Sequence, residues 1–290
     1  MSLQSLTITC RDRQWHQAFI DYVPKVFSRA SFRRWYELGG WDENYFAFAM
    51  VDGQTIVASA SLQRMKIVLR GEWITGWQLG AVGVVPGWRG QGLQRQIMPR
   101  LLDATGEKDI VFLFANDTVL DFYPLFGFER IVESVFASEY SVEPAGEPLH
   151  SLSIDRAEDR TLLAKVAATA APTSLEFAAR DYGGVLLWYW ANFYEGCFYY
   201  CEPEDAIIVA EHEGAVLRIC DVLARSTFDL RPYLPRIAKA AAQKIELGFT
   251  PGTWWPDARA VADYADSPLF VRGAHALPEQ RFKFPMLAQT

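Results

Sequence analysis

The sequence predicts a mixed α+β fold, in which mostly antiparallel mixed sheets are flanked by helices. Runs of alternating or continuously apolar residues, typical of strands, occur between segments with a helical period. Two such runs meet at Asp52-Gly53, which is a strong hairpin signal. The same order of helices, antiparallel strands, one helix and a last strand is predicted in both halves of the chain. We interpret this order as a distant structural duplication of two similar domains.

The first half begins with an alternating strand and a helical region, which Pro24 and the polar stretch 28–31, Ser-Arg-Ala-Ser, are expected to divide into two helices. Apolar runs around Asp52-Gly53 and Arg70-Gly71 predict two strand pairs, and a capped short helix ending at Gly127 lies between two later strands. Pro99 predicts a kink or an early end of the helix that contains it. The predicted strands are 6–12, 45–51, 54–63, two within 66–86, 109–115 and 129–140; the predicted helices lie within 13–38, 93–103 and 116–126.

A stretch rich in Pro, Gly and Ser, residues 141–152, lacks periodicity and is interpreted as an inter-domain linker. The predicted domains are therefore 1–140 and 153–290. In the second domain, helical periods and apolar runs follow one another as in the first. The predicted helices are 155–171, one or two more up to Tyr194, and 234–248; the predicted strands are 197–201, 206–214, 215–224, one near 269–273 and one near 282–287.

Composition excludes several classes of protein. The 290 residues carry a net charge of −7 and 22% charged residues, which argues against a nucleic-acid partner because phosphate binding needs a basic surface. The four cysteines lack the spacing of a zinc site or a disulfide framework, so no metal is expected. The N-terminus has no signal-peptide pattern, and the densest aromatic stretch is interrupted by polar residues. A cytoplasmic protein without a membrane segment is expected.

The most informative segment is Arg89-Gly90-Gln91-Gly92, a tight turn between a predicted strand and a predicted helix. A helix N-terminus presents unpaired N–H groups and a partial positive charge, and glycine lets the backbone approach a ligand. Arg89 adds a cation suited to phosphate. The segment is not a P-loop, because no Gly-Lys-Ser/Thr follows, and Arg95 replaces the last glycine of a dinucleotide fingerprint.

Two motifs resemble those of the GNAT N-acetyltransferases. Residues 84–93, VVPGWRGQGL, resemble the acetyl-CoA motif V-x-P-x-aromatic-R-G-x-G, and residues 116–128, NDTVLDFYPLFGF, resemble the signature N-x5-F-Y-x3-G-F. The resemblance covers about residues 3–140. The overall plan is similar to the tandem Eis-type enzymes without their third domain. It implies a catalytic GNAT domain followed by a degenerate GNAT-like domain, whose segment 223–232 lacks the glycines of the cofactor turn.

The resemblance implies direct transfer of an acetyl group from acetyl-CoA to a primary amine of a small molecule or a protein. Tyr123 corresponds to the family's general acid, which protonates the leaving thiolate. Gln94 departs from the family, which has a small residue there. An alternative is a non-catalytic acyl-CoA-binding sensor. The residues implied to bind acetyl-CoA are Val82, Gly83, Val84, Arg89, Gly90, Gln91, Gly92, Leu93, Gln94, Arg95 and Asn116.

The general base stays open at this point. Many GNAT enzymes carry a glutamate on the fourth strand, but no carboxylate lies between Glu72 and Pro86, and Gln78 is a poor proton acceptor. The alternatives are a water chain, the C-terminal carboxylate as in the Eis type, here that of Thr290, or one of three side chains on the acceptor side: His16, Glu37 and Glu43. Three aromatic residues there are candidates for an amine pocket or for core packing: Trp35, Tyr36 and Trp41.

Overall fold

The first half of the chain alternates strands with three helices in the order that the sequence predicts. The computed structural model describes residues 3–27, 31–273 and 277–290. Short 3₁₀ turns lie at Pro86–Trp88, Asp117–Val119 and Tyr123–Phe126. The elements are β1 (Gln4–Ile8), α1 (Arg13–Val26), α2 (Phe32–Glu37), β2 (Tyr45–Asp52), β3 (Thr55–Leu69), β4 (Glu72–Val84), α3 (Leu93–Asp103), β5 (Ile110–Phe114) and β6 (Phe128–Val142).

In the described residues, the second half contains helices of 13, 10 and 4 residues, and its last strand is followed by a 3₁₀ turn. Further 3₁₀ turns lie at Glu202–Glu204 and Met286–Ala288. The elements are β7 (His150–Ser151), α4 (Ala157–Thr169), β8 (Phe177–Arg180), α5 (Gly183–Asn192), β9 (Phe198–Cys201), β10 (Ala206–Glu213), β11 (Val216–Leu223), α6 (Leu234–Ile237), β12 (Ala242–Leu247) and β13 (Arg259–Arg272).

The strands form one large mixed sheet. Their order is β1-β2-β3-β4-β5-β13-β6-β12-β11-β10-β9-β7, and β8 pairs with β3 beside this path. Within the described residues, the pairs β4–β5 and β11–β12 are parallel and the other pairs are antiparallel. The mixed α+β fold class is therefore confirmed. Each half contributes one parallel pair.

Strands β6 and β13 connect the two halves by crossing between them. The end of β13, Leu269–Arg272, pairs antiparallel with β5 on one side and with the start of β6 on the other. The distal part of β6 lies between the start of β13 on one side and β12 on the other. Each parallel pair is thus flanked by a strand from the other half of the chain. The division into domains at 141–152 stays a prediction, since the sheet itself is continuous.

Aromatic side chains and a buried ion pair fill the junction between the halves. Phe284 lies 5.1 Å from Phe112 and 4.9 Å from Phe177, measured between ring centroids. Lys283 Nζ lies 3.2 Å from Glu133 Oε2, and both side chains are buried. Residues of β5, β8 and the C-terminal segment therefore share one core.

Two predicted elements of the second half are wrong. The helix predicted over 234–248 ends at Ile237, and Ala242–Leu247 forms β12. The alanine-rich run favours a helix locally. Pairing with β11 and β6, however, buries Ala242, Ile245 and Leu247 in the sheet, and this tertiary packing determines that the segment is a strand. The strand predicted near 282–287 is also absent from the described residues, where this segment ends in a 3₁₀ turn.

Two boundaries in the first half differ from the prediction. Strand β1 spans Gln4–Ile8 rather than 6–12. The predicted division of 13–38 into two helices is confirmed, because α1 ends at Val26 and α2 begins at Phe32, although Pro24 itself lies within α1. Helix α3 continues through the exposed Pro99 to Asp103 without an early end. Both prolines lie near a helix end, where the loss of one backbone hydrogen bond disturbs few following residues.

Candidate functional site

A cleft of about 950 Å³ opens at the point where strands β4 and β5 separate. The parallel pairing of these strands ends at Leu79 and Leu113. Beyond this point the β4 backbone, Gly80–Val84, borders the cleft and keeps β3 as its strand neighbour on one side only. The cleft is completed by α1, α2, the N-terminus of α3, the turn that contains Asn116, and α5 from the second half.

A β-bulge shapes β4 beside the cleft. The step from Gly80 to Gly83 spans three residues, whereas the opposite step on β3, from Ser61 to Ser59, spans two. Ala81, inside the bulge, has φ +48°, a conformation that residues with a Cβ rarely adopt. Bulges re-aim backbone groups and are frequent next to active sites. This one directs the backbone of Val82 and its neighbours into the cleft.

The turn at Gly90 and Gly92 has the geometry of an anion site. Their φ angles are +77° and +71°, and a Cβ on either residue would meet no atom within 4 Å. Gly92 is the N-cap of α3 and offers no side chain to cap the first helical N–H groups. Arg89 Nε donates to Val84 O at 3.2 Å, which holds the guanidinium next to the turn. These residues fit a ligand with several phosphate charges.

The side chain of Gln94 points into the sheet rather than along the turn. Its Nε2 donates to Gly83 O at 2.7 Å and to Ser59 O at 2.8 Å, and these two residues face each other across β3 and β4 at one end of the bulge. The hydroxyl of Tyr22 donates to the same Gly83 carbonyl at 2.7 Å. Gln94 therefore ties the start of α3 to strands β3 and β4. The sequence showed that Gln94 replaces a small residue but gave no signal for this role.

Tyr123 reaches the cleft from the 3₁₀ turn that precedes β6. It is only 5% exposed. Its ring packs against Phe128 and against Phe270, which lies on β13 in the second half of the chain. Burial raises the pKa of its phenol to about 12. A buried, protonated phenol at the edge of a cleft can donate a proton but does not ionise near neutral pH.

Asn116 caps the turn at the same end of the cleft. Its Oδ1 accepts from the backbone N–H and the hydroxyl of Thr118, both at 3.0 Å, as an N-cap residue does. The capping interaction fixes the side chain where it lines the cleft. Eleven of the twelve predicted site residues line this cleft: Val82, Gly83, Val84, Arg89, Gly90, Gly92, Leu93, Gln94, Arg95, Asn116 and Tyr123. The twelfth, Gln91, is exposed and does not.

The opposite end of the cleft is aromatic. Trp188 of α5 packs near Phe32 and Trp35, with ring centroids 6.0 and 6.1 Å apart. Trp35 Nε1 donates to Gly184 O at 2.7 Å, which joins α2 to α5. Of the three aromatic candidates from the sequence, Trp35 lines the cleft. Tyr36 and Trp41 lie outside the lining and contact His16 instead.

No Asp, Glu or His is found among the described residues that line the cleft. His16 is buried, with Nε2 2.8 Å from Thr9 O and Nδ1 3.1 Å from the Tyr36 hydroxyl. Glu37 and Glu43 are exposed. The three side chains considered as bases therefore lie outside the cleft.

Gln78 anchors the last residues of the chain on β4. Its Nε2 donates to Ala288 O at 2.7 Å, and its Oε1 accepts from the backbone N–H and the hydroxyl of Thr290. Thr290 lines the cleft next to Gly80. The sequence indicated Gln78 only as a poor base, and nothing in its local pattern signals a contact with a residue more than 200 positions away.

Comparison with known proteins agrees with this geometry. Residues 12–131 match the family model of the acetyltransferase (GNAT) domain. This match spans less than half of the chain, and most residues that line the cleft lie within it. No curated protein matches the sequence.

Solved structures resemble the fold over both halves. A probable N-acyltransferase from Enterococcus faecalis V583 has a TM-score of 0.56 and 11% identity, covering 94% of this chain and 72% of its own. A GCN5-related N-acetyltransferase from Kribbella flavida has a TM-score of 0.55 and 16% identity, and the match covers 93% of this chain and 70% of that protein. Eis1 from Mycobacterium abscessus has a TM-score of 0.54 and 15% identity, and the match covers 92% of this chain and 73% of that protein. At these identities the likeness concerns the fold.

No helix among the described residues is long and apolar enough to span a bilayer.

Proposed function

We propose that the protein is an acetyl-CoA-dependent N-acetyltransferase, which transfers an acetyl group by direct attack of a primary amine. The observation that carries the proposal is the single cleft that joins an anion-binding turn, the bulged edge of β4 and the buried Tyr123. The amine belongs to a small molecule or to a protein. The GNAT domain match supports acyl transfer as the reaction class.

In this proposal the pyrophosphate of acetyl-CoA binds at the turn. The N–H groups at the start of α3 donate to it, and Arg89 and Arg95 compensate its charge. Asn116 binds the pantetheine arm, which lies along β4 in place of a strand. When bound, acetyl-CoA supplies a thioester carbonyl that an amine can attack.

The chain's own groups assist the bond changes at two points. A backbone N–H within Val82–Val84 donates to the carbonyl oxygen as negative charge develops on it. Tyr123 gives its proton to the sulfur as the C–S bond breaks and the N–C bond forms. The amine loses one proton, which passes to solvent, and Tyr123 regains a proton from solvent. The products are an acetamide and CoA thiol.

A thiol-release assay over a panel of primary amines tests the proposal. Tyr123→Phe removes only the phenolic oxygen, so the thiolate leaves unprotonated, and turnover is expected to fall at least tenfold. Affinity for acetyl-CoA is expected to stay within about twofold. Tyr140→Phe is the matched control, because Tyr140 packs against Trp255, away from the cleft, and should retain full activity.

Two results would contradict the proposed enzymatic function. Equal activity of wild type and Tyr123→Phe would remove Tyr123 from the reaction. Tight binding of acetyl-CoA with no thiol release on any amine would instead favour the alternative function, a sensor of acyl-CoA.

A further inference from the structure

We propose that Gln78 is a positioning residue for the acceptor amine, because it holds Thr290 in the wall of the cleft beside the thioester. This inference rests on the proposed function, since it assigns the part of the wall next to Gly80 to the amine. Gln78 lies on β4, outside both sequence motifs that resemble those of the GNAT family. Its role is therefore separate from those of the cofactor turn and of Tyr123.

The buried amide of Gln78 matches the main chain of residues 288–290. Gln78 is fully buried and lies one residue before Leu79, where the parallel pairing of β4 with β5 ends. Its Nε2 donates to Ala288 O at 2.7 Å, and its Oε1 accepts from the N–H and the hydroxyl of Thr290. A carboxylate at this position would lack the donor, and a thioether would lack the donor and be a weak acceptor. Only an amide of this length therefore makes all three hydrogen bonds.

The chain that leads to Thr290 is held by other contacts. Phe284 N donates to Glu133 Oε1 at 2.6 Å, and Met286 N donates to Gly248 O at 2.9 Å. The side chain of Leu287 is buried in the core that the two halves share. Loss of the Gln78 amide should therefore release Thr290 and leave residues 283–287 in place. Gln78 thus controls the end of this segment without holding the rest of it.

Thr290 is exposed to the cleft close to the reacting groups. Its Oγ1 and its main-chain carbon lie 2.6 and 3.7 Å from the Cβ that a side chain at Gly80 would add. Two residues after Gly80 comes Val82, the first of the residues whose N–H groups are proposed to bind the thioester oxygen. In this chain of 290 residues the main-chain oxygens of Thr290 form a carboxylate, which accepts hydrogen bonds from an amine or an ammonium group. An amine bound to these oxygens lies next to the carbonyl that it attacks.

Steady-state kinetics of Gln78→Met and Gln289→Met test the inference. Gln289 is the matched control, because it is buried in the same segment, donates to Phe284 O at 3.5 Å and does not line the cleft. With 2-phenylethylamine and 1,4-diaminobutane as acceptors, Gln78→Met should lower kcat/KM for the amine at least about tenfold, because the acceptor is no longer aligned. The KM for acetyl-CoA should stay within about twofold, since the phosphate turn is unchanged. Equal kcat/KM values for the two variants would overturn the inference.

Amide hydrogen exchange, read by NMR, separates local release of Thr290 from a general loss of stability. The Thr290 N–H donates to Gln78, whereas the Met286 N–H donates to Gly248 O. Gln78→Met should speed exchange at Thr290 at least about tenfold and change it less than about twofold at Met286. Unchanged exchange at Thr290, or equal acceleration at both amides, would overturn the role of Gln78 as the anchor.

The two measurements together distinguish this inference from the proposed function. Faster exchange at Thr290 with normal kinetics of Gln78→Met would show that the position of Thr290 does not govern the amine, and would overturn the inference alone. Thiol release by wild type with no amine would contradict the proposed function. The exchange measurement would then still decide whether Gln78 holds Thr290 in the cleft.

Discussion

At the scale of single residues, the hydrogen bonds of Gln94 give a structural reason for its departure from the GNAT motif. The family has a small residue here, whereas Gln94 spans from α3 to the carbonyls of Ser59 and Gly83. The bulge in β4 places Ala81 at a positive φ, a conformation that costs on the order of 1 kcal/mol. We interpret the Gln94 amide as a brace that holds this bulge, so that the β4 backbone faces the cleft.

Removing this amide is expected to weaken the fold. Gln94→Ala removes the amide that donates to one carbonyl on β3, that of Ser59, and to one on β4, that of Gly83. This loss should lower the free energy of unfolding by about 1–3 kcal/mol. Gln91→Ala, at an exposed position of the same turn, should change it by less than about 0.5 kcal/mol. Urea denaturation of the two variants measures the difference. Equal stabilities would show that the Gln94 hydrogen bonds do not hold the bulge.

The pKa of Tyr123 sets the pH dependence of turnover. Burial raises this pKa to about 12 from 10.0, so the phenol remains a proton donor through about pH 10. The amine must be uncharged to attack, and no Asp, Glu or His side chain among the described residues lines the cleft, although the terminal residue Thr290 does. We expect kcat/KM for a monoamine to rise with pH and to show no decrease below about pH 10. A falling limb between about pH 8 and 10, in a profile corrected for stability, would contradict Tyr123 as the acid.

At the scale of elements, helix α5 of the second half contributes to the cleft, as the terminal Thr290 also does. Its N-cap residue, Tyr182, donates from its hydroxyl to Asp221 Oδ2 on β11 at 2.8 Å. The other oxygen, Oδ1, accepts from Val222 N at 2.8 Å. This buried contact positions α5, and with it Gly184 and Trp188, beside the cleft.

The buried Asp221 makes stability depend on pH. Burial raises its pKa from 3.8 to about 6, although its hydrogen bonds oppose the shift. The folded state therefore holds the proton more tightly than the unfolded state does. The stabilisation is complete below about pH 4 and is lost as pH rises through about 6, a change of about 3 kcal/mol.

Asp221→Asn is expected to remove this dependence, because an amide of the same shape carries no charge at any pH. The variant should gain stability relative to wild type between about pH 4 and 6 and keep the gain at pH 7. Asp121→Asn, at an exposed position, serves as the control. Urea denaturation across this range measures the difference, and parallel profiles for Asp221→Asn and wild type would contradict the raised pKa.

At the scale of the whole molecule, the crossing of β6 and β13 joins the halves into one sheet. Strand β13 supplies Phe270 to the packing of Tyr123, so the proposed acid depends on a strand from the far end of the chain. The buried Glu133–Lys283 pair lies at the same junction, where separation would leave an uncompensated charge. The part of the first half that forms the cleft and the second half are therefore expected to be stable only together.

We expect a single cooperative unfolding transition for the two halves. Urea unfolding followed by tryptophan fluorescence and by hydrogen exchange at amides of β3 and β10 should give coincident midpoints. Residues 1–140 expressed alone should not fold stably, because β5 and β6 would lose their shared partner β13. Two separate transitions, or a folded fragment with a bound acetyl-CoA, would contradict this coupling.

Sequence patterns predict local features of this fold better than distant ones. The strands around Asp52-Gly53, the helix that begins at Leu93 and the residues of the cofactor turn follow from hydrophobic period, turn chemistry and motif spacing. The crossing of β13 and the anchoring of Thr290 by Gln78 involve residues over 100 positions apart, and no local pattern encodes such pairings. The aromatic end of the cleft was predicted in part, through Trp35, but the contribution of Trp188 required the packing of the two halves.

The central claim is that the turn between β4 and α3 binds acetyl-CoA, and charge reversal tests it most directly. Calorimetric titration with acetyl-CoA compares Arg89→Glu/Arg95→Glu with Arg11→Glu/Arg13→Glu, which changes the net charge equally at exposed positions outside the cleft. Reversing the charges next to the phosphates should weaken binding at least 30-fold, whereas the control pair should change it less than threefold. Equal affinities for the two double variants would place acetyl-CoA elsewhere and contradict the account.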